Sequence, residues 1–154
     1  MLLSIVIPHY NIPKQMLKRC IDSIIGQSIP DEEYEVIIVD DGSLEQPSWI
    51  KDECPGYNIT LINSDHGGPG HARNKGIDEA RGKYIQFIDA DDYLLPNGQL
   101  TQCLAMLETE KPQILRFGYK VKTDDNPETT RPRTVKFSNT ISGAIFMRDN
   151  NLSG

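Results

Sequence analysis

Four short apolar runs stand out along the chain: Leu3–Ile7, Glu35–Val39, Asn58–Ile62 and Tyr84–Ile88. The second contains Val36-Ile37-Ile38-Val39, unbroken and β-branched, as a parallel strand covered on both faces requires. Between the runs the apolar spacing becomes helical. Leu17, Cys20, Ile21, Ile24 and Ile25 recur at i, i+3, i+4, i+7 and i+8, which is one apolar face. Leu100, Cys103, Leu104 and Leu107 repeat that spacing. The stretch from Gly70 to Ala80 is weaker, with Ala72, Gly76, Ile77 and Ala80 on one side; residues this small let a helix sit close to a sheet. Met16, Met106, Tyr84 and Phe87 stand at core spacings and are expected in the packing. Strand and helix thus alternate from Leu3 to about Glu110, which predicts an α/β fold with a mostly parallel sheet flanked by helices. Beyond it, a further strand is expected at Gln113–Tyr119. A polar, proline-rich excursion follows from Thr123 through Arg133, then a last short helix from Ile141 to Asn150.

Composition narrows the field. A length of 154 residues suits one domain with its own core, needing neither disulfide nor metal merely to fold. The balance of 16 basic against 22 acidic residues, net −6, argues against broad electrostatic binding of nucleic acid, which rests on basic patches. It leaves room for a local acidic cluster that holds a cation. Cys20, Cys54 and Cys103 are odd in number and widely spaced, so free thiols in a reducing compartment are expected. The triplets Asn58-Ile-Thr60 and Asn151-Leu-Ser153 match the glycosylation pattern only as chance triplets do. The opening Met1–Pro8 is apolar, yet too short to span a bilayer and without a basic leader, and reads as the first strand. The expectation is a cytoplasmic protein; association with a membrane surface, through a partner or further residues, stays compatible with it.

The chemistry-bearing residues fall where such folds bind ligands, at the carboxyl ends of the strands. The first run ends in Pro8-His9-Tyr10-Asn11, the second in Asp40-Asp41-Gly42-Ser43. The third ends in Asn63-Ser-Asp-His-Gly-Gly-Pro-Gly70 and the fourth in Asp89-Ala-Asp-Asp92. Three carboxylates in four positions repel one another, a cost that a divalent cation removes. Oxygen donors suit Mg²⁺ or Mn²⁺, and Mg²⁺ takes only one or two carboxylates plus substrate phosphates. An extended strand end would put Asp89 and Asp91 on one side. The competing reading is one Asp capping the next helix and the others solvated. Asp40-Asp41-Gly-Ser is either an Asx turn or an acceptor for a base N–H or ribose hydroxyl. Gly67, Gly68 and Gly70 permit close backbone approach, and the helix after them offers N–H groups, with Arg73 in its first turn, to a phosphate; a flexible loop with a surface arginine is the alternative. His9, His66 and His71 share no ligand spacing and are expected as loop or contact residues. Neither a dinucleotide-binding GxGxxG nor a P-loop is present.

Four motifs occur in order: Ser4-Ile-Val-Ile-Pro-His-Tyr-Asn11, Val39-Asp-Asp-Gly-Ser43, Gly68-Pro-Gly-His-Ala-Arg-Asn-Lys-Gly76 and Phe87-Ile-Asp-Ala-Asp-Asp92. Each is weak alone, but four in register are specific, and together they resemble family 2 glycosyltransferases. The resemblance covers residues 3–96. It implies a GT-A (Rossmann-like) fold and inverting transfer of sugar from a nucleotide-sugar donor, usually UDP-linked, to a saccharide or other hydroxyl acceptor. On that resemblance Pro8 and Tyr10 line the base and ribose pocket, Asp41 contacts uracil and Asp40 supports its turn. Arg73 matches the segment near the phosphates. Asp89 and Asp91 match the Asp-x-Asp, with Asp91 the more direct ligand of an Mn²⁺ or Mg²⁺ that bridges both phosphates and steadies the leaving group.

Family members continue into an acceptor-binding half that carries the general base. No substitute is evident in Glu108, Glu110, Asp124, Asp125 or Asp149, so the expectation is a single domain over 1–154 cut before that half. The alternative function is a binding or interaction module that holds nucleotide-sugar without turnover. An aspartyl-phosphate phosphotransfer domain is discounted because its acidic nucleophile follows the first strand, not the fourth. A nucleotidyltransferase would want a glycine-rich basic loop where His9-Tyr10-Asn11 stands.

Overall fold

The computed structural model describes residues 1–115 apart from Ser28 and Asn97. Its elements are β1 (Leu3–His9), α1 (Lys14–Ile25), β2 (Tyr34–Asp40), α2 (Ile50–Glu53), β3 (Ile59–Asn63), α3 (Pro69–Glu79), β4 (Tyr84–Phe87) and α4 (Gln99–Thr109). The four strands form one all-parallel sheet in the order β3-β2-β1-β4. The short α2 was not foreseen. Residues 113–115, the start of the further expected strand, are irregular; the rest of that strand, the 123–133 excursion and the 141–150 helix lie outside the described residues. The chain divides into two compact units, Met1–Ala105 and Met106–Gly154, and the site lies in the first.

The two central strands carry the core. Every residue of β2 is buried, and six of the seven in β1. Alternation sends Val6, Ile37 and Val39 to one face, where they meet Ala72 of α3. Ile5, Ile7, Val36 and Ile38 face the other way and are equally buried. The apolar stripe of α1, Leu17, Cys20, Ile21 and Ile24, is buried as its spacing predicts. Gly76 explains the weak amphipathicity of α3. A Cβ there would lie 2.2 Å from Val6 Cγ1, so the helix rests on the sheet through a missing side chain.

Two packing expectations are corrected. Met16 is 43% exposed, because it sits on α1 beside the buried stripe rather than in it, and Phe87 is 40% exposed. Phe87 shares its side of β4 with exposed Ile85, and among the described residues β4 has a neighbour strand, β1, on one edge only. Tyr84 and Met106 are half-buried. All three cysteines are buried free thiols. Burial pushes Cys20 up to about 12 and Cys103 to about 11, which leaves them unreactive. The Asn58 amide donates to the Tyr34 carbonyl at 3.0 Å, a packing role. Among the described residues no helix is long and apolar enough to cross a membrane.

Candidate functional site

From β1 the chain steps outward to β2 and β3, then crosses back to place β4 on the far side of β1. That reversal is the switch point at which open α/β sheets bind ligands, beyond the strands' carboxyl ends. Register sets His9, Asp40 and Asn63 level across three strands. The loops leaving all four strands therefore emerge at one end of the sheet.

The first two loops are tied together. His9 is 3% exposed; its Nδ1 lies 2.9 Å from Asp40 Oδ1 and 3.2 Å from Ser43 Oγ, and its Nε2 lies 3.3 Å from the Ile12 carbonyl. Asn11 donates its N–H to Ser43 Oγ at 2.8 Å, and its side-chain oxygen accepts from Leu44 N at 2.9 Å. Asp40 is fully buried, and its Oδ2 has no hydrogen-bond partner among the described residues. Asp40 thus braces His9 and the turn from inside the protein. Pro8, half-buried, stands one residue earlier on β1 opposite Val39.

Asp41 is also buried, but it reaches the third loop. Gly67 N donates to its Oδ1 at 2.9 Å and Gly68 N to its Oδ2 at 2.8 Å. His66 Nδ1 lies 2.9 Å from Oδ2 and His71 Nδ1 3.5 Å from Oδ1. Burial alone pushes this carboxyl up; the two glycine N–H groups, with His71 and His66, outweigh it and hold Asp41 below the usual carboxylate range. Gly67 and Gly68, expected to permit close backbone approach, thus bring their own N–H groups onto Asp41. The close fit needs Gly42, whose φ of +76° is left-handed and whose Cβ would sit 2.9 Å from His66 N. Tyr10 follows β1, 46% exposed, and stacks on His66 with ring centroids 4.3 Å apart.

The acidic cluster is a turn, not an extended strand end. β4 stops at Phe87, and Asp92 N donates to the Asp89 carbonyl at 2.9 Å, so the alternation argument for Asp89 and Asp91 does not apply. The segment is held by α1, which sequence reasoning missed. Arg19 donates to the Asp91 carbonyl at 3.0 Å and lies over the Tyr93 ring at 4.4 Å. Ser23 Oγ accepts from Leu94 N at 2.9 Å, and Gln27 Nε2 donates to the Leu95 carbonyl at 3.1 Å. Arg19 and Ser23 are spaced by four beside the apolar face of α1, Gln27 continues that spacing just past the helix end, and that spacing was the available signal.

Arg73 lies in the second turn of α3, not the first, and donates to Asp89 Oδ1 at 2.6 Å. Asp92 does not cap α4, which begins seven residues later at Gln99. Partial burial, then the charges of Asp91 and Asp89, push its carboxyl up, the repulsion a cation would relieve. Among the described residues, no three His, Cys, Asp or Glu side chains gather into a metal cage. Two hard oxygen donors, Asp89 and Asp91, on a turn at the switch point do fit Mg²⁺ or Mn²⁺ shared with a ligand's phosphates.

A bracing turn, an accepting carboxylate beside an exposed aromatic ring, and an acidic turn with its arginine thus stand together at the carboxyl end of one parallel α/β sheet. The chain belongs to the glycosyl transferase family 2, which it matches over residues 4–152. It is 41% identical over 98 residues to the poly(ribitol-phosphate) β-glucosyltransferase of Bacillus spizizenii, covering 61% of this chain and 15% of that protein. It is 39% identical over 134 residues to the uncharacterized glycosyltransferase EpsJ of Bacillus subtilis, covering 86% of this chain and 38% of that one. The crystal structure of S. aureus TarS with UDP superposes at a TM-score of 0.64 with 29% identity, covering 70% of this chain and 32% of TarS. The mostly parallel GT-A architecture is thereby shown. The chain spans well under half the length of these relatives.

Proposed function

We propose that this chain carries the donor-binding site of a glycosyltransferase that moves a sugar from a UDP-linked donor to a saccharide or other polyol hydroxyl, with inversion. The observation that carries this is the placement of Tyr10 and Asp41, after β1 and β2, on one side of the switch point and of Asp89 and Asp91, after β4, on the other, with Arg73 of α3 paired to Asp89. The UDP bound to TarS and the poly(ribitol-phosphate) acceptor in the name of the Bacillus spizizenii relative support the donor and acceptor classes. Pro8 and Tyr10 line the base and ribose, and Asp41 accepts an N–H from uracil. Asp40, through His9, fixes the turn that presents Asp41.

Arg73 neutralises Asp89 while the site is free and pairs with the diphosphate once the donor is in place. Asp89 and Asp91 would hold Mn²⁺ or Mg²⁺, which when bound supplies charge neutralisation for the UDP leaving group. We place the acceptor's general base outside the four matched motifs, in an acceptor-binding part that the longer relatives have room for. The cytoplasm is the compartment this reading assigns, and three buried free thiols suit it.

Calorimetry with UDP, first with Mn²⁺ and then with chelator, tests the assignment. UDP binding that weakens on chelation, and loses that dependence in Asp91→Ala, is the expected result. Equal affinity in both conditions removes the metal role, and absence of UDP binding removes the donor site.

A further inference from the structure

We infer that His66 is a built-in stand-in for the nucleobase: it occupies the Tyr10 face and the Asp41 oxygen that an incoming base needs, and the donor enters by displacing it. This rests on the donor reading above. Three observations make the imidazole a mimic. Its ring lies on Tyr10 at 4.3 Å between centroids and 26° between planes, too close for a base to slip between them. Its Nδ1 hydrogen-bonds the Asp41 carbonyl at 3.1 Å and lies 2.9 Å from Oδ2 of the buried Asp41 carboxylate. A planar ring that stacks on Tyr10 with a ring nitrogen against the Asp41 carboxylate is also the description of a uracil in this pocket.

The remaining contacts on Asp41 explain why His66 is the group that yields. Gly67 and Gly68 hold the carboxylate through backbone N–H groups that cannot leave without unmaking the loop. His71 stands further off, 3.5 Å from Oδ1. The His66 side chain is 55% exposed, so it can turn out into water with little loss of burial. Displacing it forfeits one aromatic stack, one contact to a carboxylate and one hydrogen bond to the Asp41 carbonyl, and the base regains the first two. The net effect is a donor affinity lower than the open pocket would give, together with rejection of ligands whose rings cannot replace both contacts.

The test compares UDP and inorganic pyrophosphate, each with Mn²⁺, on the wild-type chain, His66→Ala and His66→Phe. His66→Ala is expected to bind UDP about three- to tenfold tighter, the worth of one aromatic stack, with pyrophosphate affinity unchanged. His66→Phe keeps the ring but not the N–H and should fall between. In the wild-type chain the His66 ring protons, shifted by the Tyr10 ring current, should move toward free-imidazole positions as UDP is added. Weaker or unchanged UDP binding by His66→Ala, with wild-type binding intact, overturns the stand-in and leaves the donor site standing. Ring protons that stay shifted in the UDP complex overturn it as well. Loss of UDP binding by the wild-type chain itself takes down the donor reading and this inference together.

Discussion

Both carboxylate oxygens of Asp41 are engaged before any ligand arrives, by Gly67 N, Gly68 N and two histidines. The residue therefore fixes the third loop with the same atoms that the proposed donor reading assigns to the base. Uracil offers an N–H where cytosine offers an acceptor, so UDP should bind better than CDP. A hydrogen bond to a buried charged acceptor is worth roughly 1.5–3 kcal/mol, about tenfold to a hundredfold in affinity. In Asp41→Ala, UDP should fall to the CDP level. Competition calorimetry with the two nucleotides checks this, and equal affinities in the wild-type chain remove uracil recognition.

Helix α3 reaches the sheet because Gly76 lets it, and Arg19 and Ser23 of α1, with Gln27 just past its end, hold the segment that carries the acidic turn. Adding a methyl at Gly76 drives a Cβ into Val6, whose branched side chain on a fully paired strand has nowhere to go. Overpacking of this kind costs about 1–3 kcal/mol. Gly76→Ala should lower the unfolding free energy read from urea titration by that much, and Val6→Ala in the same chain should recover part of the loss, because the two changes share one contact. Full additivity of the two losses would place the strain elsewhere.

Across the whole molecule, the two ends of the sheet serve different ends. Opposite the candidate site, Glu35 of β2 is 1% exposed and accepts from Ser4 Oγ at 2.7 Å, Arg81 N at 2.8 Å and Arg81 Nε at 2.9 Å. Ser4 Oγ in turn accepts from Gly82 N at 2.8 Å, so one carboxylate pins the start of β4 to β1 and β2. Burial pushes Glu35 up, but the Arg81 guanidinium, the Ser4 hydroxyl and the Arg81 N–H outweigh it and hold it below the usual range. A folded-state pKa below the unfolded value, about 4.3 for Glu, gives stability that is complete above that value and lost as pH falls through the folded one. Asp41 acts in the same sense, and Asp92, pushed up, in the opposite one. The urea midpoint should therefore fall as pH drops from about 5 toward 3, and Glu35→Gln should flatten that fall. An unchanged slope in the variant would put the acid sensitivity on other carboxylates.

The alternation of runs and helical stripes was enough to place β1 to β4, α1, α3 and α4, and burial on both faces is what makes the two central strands continuously apolar. It also set Asp40, Asp41, Asp89 and Asp91 after strands, which in a parallel sheet means one end of the molecule. Partners across the sheet carry no such periodicity. Nothing local distinguishes Glu35 as buried, since its compensation comes from Arg81, 46 residues away. Nothing local tells that the Gly67 and Gly68 N–H groups turn to Asp41, or that His66 lies on Tyr10. Short-range spacing settles which face a residue shows; only the crossing of β4 to the far side of β1, and the loops it brings together, decides what that face meets.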